Sequence, residues 1–145
     1  MTFEQGPYIQ AAVLCEQVIE DKTGALSLIR IIDTITHTEA RQDAPVDMPP
    51  TTYPMKMVIM LKSGRARGRH ELKICPELPS GELKQPITQS VQMEGEERGN
   101  NHIINMIFTF TIEGLYWFNI YLDDVILTKI PLRIKYNRVV IPAPI

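Results

Sequence analysis

A chain of 145 residues, 44% apolar and 22% charged, has the size and mix of one ordinary globular domain and can bury a core without metal or disulfide staples. Its formal charge of −2 lacks the basic excess of a general nucleic-acid or membrane-surface protein, and no apolar run approaches the roughly 18 residues of a spanning helix. The start, MTFEQGPYIQ, carries no secretory pattern, and two cysteines without a C-x-x-C pair suit neither a disulfide framework nor a zinc site. The expectation is a single cytoplasmic domain over residues 1–145, with Cys15 and Cys75 as buried free thiols.

Tyr8 to Ile19 fits two periods. Tyr8, Ala11, Ala12, Cys15, Val18 and Ile19 match a helical face and Gly24 could end it, but Ile9, Val13 and Leu14 would then leave the other side too apolar. A strand buried on both faces explains them better. A weaker strand reads from Leu26 to Thr36, followed by the proline-rich loop EARQDAPVDMPPTTYP. In PMKMVIML the alternate residues Met55, Met57, Ile59 and Leu61 form one apolar face; KSGRARG reads as the tip of a hairpin leading into a strand at Gly68 to Cys75. After CPELPSGE comes a strand at Leu83 to Met93, then the turn-like EGEERGNN. The clearest alternation in the chain follows, with Ile104, Met106, Phe108, Phe110 and Ile112 on one face.

Near the end, EGLY resembles the tyrosine corner of immunoglobulin-like sandwiches, with Tyr116 equally readable as an ordinary core aromatic. Tyr116, Phe118, Ile120 and Leu122 lie on one parity, and Ile126, Thr128, Ile130, Leu132 and Ile134 share it beyond Asp123 and Asp124. A loop of only Asp123 and Asp124 would pair even with odd and set Lys129 beside Phe118 on the core side, a register that fails. The sequence therefore predicts a three-residue loop, Asp123 to Val125, pairing Leu122 with Ile126 and Phe118 with Ile130, with Asp124 at positive φ. The two aspartates are thus read as turn residues, not as a catalytic or metal-binding pair.

The stretches AAVLCEQVIEDKTGALSLIRIIDTI (Ala11 to Ile35) and GLYWFNIYLDDVILTKIPLRI (Gly114 to Ile134) resemble an uncharacterised family of short bacterial single-domain β-sandwich proteins. The shared pattern is a leading strand ending in Leu-Cys and an acidic residue, Gly-x-Leu-Ser-Leu-Ile, and a closing Gly-x-Tyr-x-Phe hairpin running through an Asp turn to Pro-Leu. The turn is usually Asp-Gly in such relatives, so Asp124 departs from the pattern. The resemblance implies a β-sandwich, a strand at Ile9 to Glu16, and no catalytic residue.

The predicted fold is an all-β, immunoglobulin-like antiparallel sandwich of two sheets with eight or nine strands. Catalytic signals are thin. His37, His70 and His102 have no ligand-spaced neighbours, no Ser sits in G-x-S-x-G, and the glycines of KSGRARG make no P-loop; no cofactor or metal is expected. Lys62, Arg65, Arg67, Arg69 and Lys73 concentrate charge on one loop, which is either solvated or contacts an anion or partner. If strands simply alternate in direction, Glu20, Asp21, Glu96, Glu97, Asp123 and Asp124 emerge at that same end and neutralise part of it. The tail NRVVIPAPI is unusually apolar at Val139, Val140, Ile141 and Ile145, fitting an edge strand on its own sandwich or a segment docking onto a partner or second copy. These readings point to a non-enzymatic binding or assembly module with a protein partner or homo-oligomer. The alternative is polyanion binding through Lys62 to Lys73, with nucleic acid and membrane disfavoured.

Overall fold

The computed structural model describes residues 5–144, and every regular element among them is a strand: β1 (Tyr8–Glu20), β2 (Leu26–Ile31), β3 (Thr34–Arg41), β4 (Thr51–Glu77), β5 (Ile87–Phe110), β6 (Gly114–Leu122) and β7 (Val125–Val140). Tyr8–Glu20 is a strand, as its apolar residues of both parities require. β4 and β5 run 27 and 24 residues because each passes through both sheets. In the first sheet β2 pairs β1, β1 pairs the first half of β4, and that half pairs the second half of β5. In the second, the first half of β5 pairs the second half of β4, followed by β6, β7 and β3. Seven strands thus supply nine sheet segments, and the fold is an immunoglobulin-like two-sheet sandwich.

Alternation sets the core. Leu14, Met57, Ile59, Leu61 and Ile104 line the inner face of the first sheet; Leu72, Ile74, Phe118, Ile120 and Leu132 line that of the second. The sheets are locked by aromatic edges: Phe108 meets Phe118 at 5.6 Å and 77°, and Phe110 meets Tyr116 at 4.9 Å and 82°. Tyr116 forms the tyrosine corner, donating its hydroxyl hydrogen to the Ile112 carbonyl at 2.6 Å. Burial raises the pKa of this phenol.

Several expectations are corrected. Leu26 to Thr36 is two strands, because the chain leaves β1 after Ile31 and joins the other sheet as β3. There β3 runs parallel to β7, so the sandwich is not wholly antiparallel. KSGRARG and EGEERGNN are not hairpin tips: they lie opposite each other where the β4–β5 ribbon turns a corner, with Lys62 beside Gly99, Gly64 beside Glu96 and Arg67 beside Glu94. Bulges and positive φ at Gly64, Gly68, Gly95 and Glu96 bend the strands without reversing them.

The closing hairpin has a loop of only Asp123 and Asp124, with φ of 48° and 63°, and Leu122 pairs Val125. Phe118 still pairs Ile130, because a bulge between the Ile120–Thr128 and Tyr121–Ile126 rungs inserts Leu127. That extra residue restores the parity a two-residue loop would have broken, and Leu127 rather than Ile126 packs against the core.

Candidate functional site

The corner of the β4–β5 ribbon and the β6–β7 turn meet, because Leu72 pairs Leu122 just beyond the bend. Ser63 anchors the bend from inside: fully buried, it donates to Met93 Sδ at 3.4 Å and accepts the Glu94 N–H at 3.2 Å. Arg67 lies across Gly95 and donates from Nη1 to the Glu94 carbonyl at 2.9 Å. Gly95 holds φ at 88°, which favours glycine, and a Cβ there would push aside the mobile guanidinium end of Arg67.

Asp123 joins the two elements. Its Oδ1 accepts the Glu71 N–H at 2.9 Å, its own N–H donates to the Glu71 carbonyl at 2.9 Å, and its Oδ2 takes a hydrogen bond from His70 Nδ1. The other imidazole nitrogen, Nε2, lies 2.9 Å from the Arg67 carbonyl. Both ring nitrogens therefore face acceptors, an arrangement only the imidazolium satisfies fully. The bond to Asp123 raises the His70 pKa; the Glu71 amide first, then His70, lowers that of Asp123. Asp124 points the other way and accepts from Lys73 Nζ at 2.8 Å, which raises the lysine pKa. The lysine also sits 5.0 Å above the Tyr121 ring.

The cations of the basic stretch therefore play different parts. Arg67 is engaged with backbone, and Lys62 is half-buried in a small cleft with Tyr8, Ile9, Gln10 and Glu97. Arg65 and Arg69 are exposed and make no ion pair among the described residues; Arg69 borders a polar groove with His70, Glu71, Thr88, Gln89, Ser90 and Asp123. Around them lie Glu71, Glu94, Glu96, Glu97, Asp123 and Asp124, six carboxylates against the six cations Lys62, Arg65, Arg67, Arg69, Lys73 and Arg98. Glu20 and Asp21 are not among them. β1 pairs Tyr8 with Lys62 and Cys15 with Lys56, so its far end lies at the opposite pole, where Asp21 caps its own turn through the Thr23 and Ala25 amides. The sequence missed the His70–Asp123 link because the two lie 53 residues apart and meet only when β4 turns its corner.

The apolar tail is the end of β7. Val139 and Val140 pair with Ala40 and Arg41, and the Ile141 N–H donates to the Arg41 carbonyl at 3.2 Å. Its side chains stay half-exposed; Ile145 lies outside the described residues. The remaining titratable groups are dispersed. His37 contacts Glu39 at 3.0 Å and stacks on Tyr136, His102 has a buried Nε2 without a partner, and burial lowers the His102 pKa. Cys15 and Cys75 are buried free thiols. No group of three His, Cys, Asp or Glu among the described residues is placed to hold a metal ion, and no helix among them is long and apolar enough to cross a membrane.

The sequence pattern of a family of unknown function, DUF6941, matches residues 10–135. The chain belongs to this family. The DUF6941 match takes in the middle of the chain as well as both ends, and stops within β7 before the apolar tail. No curated protein matches significantly. Among solved structures, the chain is similar to the CARDB domain of a Pyrococcus furiosus protein in complex with di-metal ions (TM-score 0.44, 13% identity, 94% of this chain and 100% of that one). It is also similar to an immunoglobulin-like protein from Pseudomonas aeruginosa (TM-score 0.40, 11% identity, 92% and 100%).

Proposed function

We propose that this chain is a non-enzymatic binding and assembly module, and that its corner engages a protein surface of mixed charge. The observation that carries this reading is the interleaving of six cations with six carboxylates around the bend. Such a surface complements another patterned protein surface and repels part of any uniformly charged polymer. The bend is fastened from inside by Ser63 and from outside by His70 and Asp123, so Arg65 and Arg69 project from a fixed frame. Pre-ordering of that kind reduces the entropy lost on docking.

Tagged recovery from the native host, with crosslinking, tests the reading. A stoichiometric protein partner should be lost on Arg65→Glu with Arg69→Glu and retained on Lys22→Glu at the opposite pole. Recovery of a solitary protein, or of a partner indifferent to both changes, refutes it.

Polyanion binding is the second reading, favoured by the exposed, ion-pair-free Arg65 and Arg69. With Arg67 already bonded to backbone, two phosphate contacts would give a slope of about −1.8 in log affinity against log salt. Absence of binding to heparin or duplex DNA at about 50 mM salt, where Coulombic contacts are little screened, eliminates it.

A further inference from the structure

β5 pairs only with β4, so its other edge is unpaired along both sheets among the described residues. The three other edge segments carry protection or little apolar surface. β2 is six residues long and is broken near its end by Arg30, held at φ 56° and paired with Glu16. β3 carries Glu39 and Arg41. The first half of β5 turns Thr88, Ser90, Gln92 and Glu94 outward. From Gly99 to Phe110, by contrast, there is no Lys, Arg, Asp, Glu or Pro, and Ile107, 79% exposed, shares the outer face with Ile103 on the far side of Asn105. Natural edge strands are normally blunted by charge, proline or bulges, and this one has none of those devices.

Its sequence also reads the same in both directions by residue class. Around Asn105, Ile104 mirrors Met106, Ile103 mirrors Ile107, His102 mirrors Phe108, and Asn101 mirrors Thr109. Antiparallel pairing of two identical strands about a two-fold axis sets residue i opposite the residue equally far on the other side of the centre. A centre at Asn105 would therefore place each isoleucine of the outer face against its counterpart, Ile103 on Ile107 of the second copy and the reverse. The even, core-facing row would align aliphatic with aliphatic and ring with ring. An uncharged strand brings no like charges together in such a pair.

We infer that Asn101–Thr109 is a self-association edge whose occupant is the same strand of a second copy, antiparallel and centred on Asn105, so that the first sheets of two copies become one continuous sheet. This rests on the assembly part of the reading above and names the surface that serves it. It also moves the homo-oligomer contact away from the C-terminal tail, whose backbone is already paired with β3. A cleft of about 360 Å³ opens beside the same edge, with Ile87, Met106, Ile107 and Phe108 in its wall and Pro76, Lys84 and Gln85 across from them.

Sedimentation of the full chain from about 10 µM to about 1 mM should show a monomer–dimer equilibrium. Ile107→Lys should weaken it at least tenfold, whereas Ile31→Lys, at another exposed isoleucine on β2, should leave it unchanged. Ile103→Glu alone should also weaken it. Combined with Ile107→Lys it should restore the dimer, because the proposed register places each new glutamate opposite the new lysine of the other copy; within one chain the two sites are four residues, about 13 Å, apart. Under mild oxidation Asn105→Cys should crosslink two copies and Ile103→Cys should not. A monomer at every concentration, a dimer untouched by Ile107→Lys, or crosslinking at 103 but not at 105 overturns the inference. Protection of the β5 amides by a different protein, on a chain that is otherwise monomeric, overturns it too. Partner capture lost with the Arg65 and Arg69 changes, by a chain that sediments as a monomer at every concentration, would leave the corner reading standing while the dimer reading falls.

Discussion

The His70–Asp123 link offers the sharpest test of the corner. The perturbation is a double-mutant cycle of His70→Gln and Asp123→Asn, which retains the size of each side chain and removes the ion pair. The imidazole is 21% exposed and the carboxylate 52%, so solvent screens the pair and its coupling belongs at the upper end of the surface range, about 1 kcal/mol. In a chain of this length that is roughly 3 °C in melting temperature. The folded His70 pKa is raised above its unfolded value of about 6.5, so this contribution is complete below pH 6.5 and is lost as pH rises through the folded value. The Asp123 pKa is lowered from about 3.8, so its contribution is present above that value and is lost as pH falls through its folded pKa. Coupling should be full between about pH 4 and 6.5 and should decline above that window. His102 works in the opposite sense, since burial lowers its pKa and its stabilising neutral state is lost on acidification. The wild-type pH curve alone therefore cannot isolate His70, whereas the cycle cancels His102. Urea unfolding of the four proteins at pH 5.5 and pH 9 should give about 1 kcal/mol and near zero, respectively. Equal coupling at both pH values, or none at pH 5.5, refutes the imidazolium bridge.

Three further outcomes follow from the geometry. Asp124→Gly should be neutral or stabilising by a few tenths of a kcal/mol through relief of positive φ, while Asp124→Val and Asp123→Gly should each cost about 1 kcal/mol or more, the latter by orphaning the Glu71 amide; thermal melts rank the three. Tyr116→Phe keeps the ring packing on Phe110 and removes only the hydroxyl that holds the Ile112 carbonyl, so it should cost about 1 kcal/mol in urea unfolding, well short of Tyr116→Ala. Deleting Val139 to Ile145 removes the last β3–β7 rungs and several half-buried aliphatic side chains, a loss of about 2–4 kcal/mol. The truncated chain should melt lower with its solution mass unchanged, and a change of mass would return the tail to the interface.

Period alone made much of the sandwich legible. The two-fold alternation at Met55 to Leu61 and Ile104 to Phe110 reports which side chains face the core, because a strand's parity is local. Tyr116 could be read as a corner because its hydroxyl partner lies only four residues upstream. What is not local escapes the period. A positive-φ Gly64 or Gly95 is as compatible with a bend in a long strand as with a hairpin tip, and only the partner strand decides that KSGRARG and EGEERGNN face each other across one corner. The same holds for the closing hairpin. Parity argues for a three-residue loop, and the Leu127 bulge, a property of the pair of strands, overturns it. The parallel partnership of β3 with β7 and the meeting of His70 with Asp123 bring together residues 50 to 100 positions apart. The palindrome around Asn105 is present in the amino-acid sequence, but only the tertiary structure leaves that strand unpaired on one side, which is the condition under which a second copy can read it.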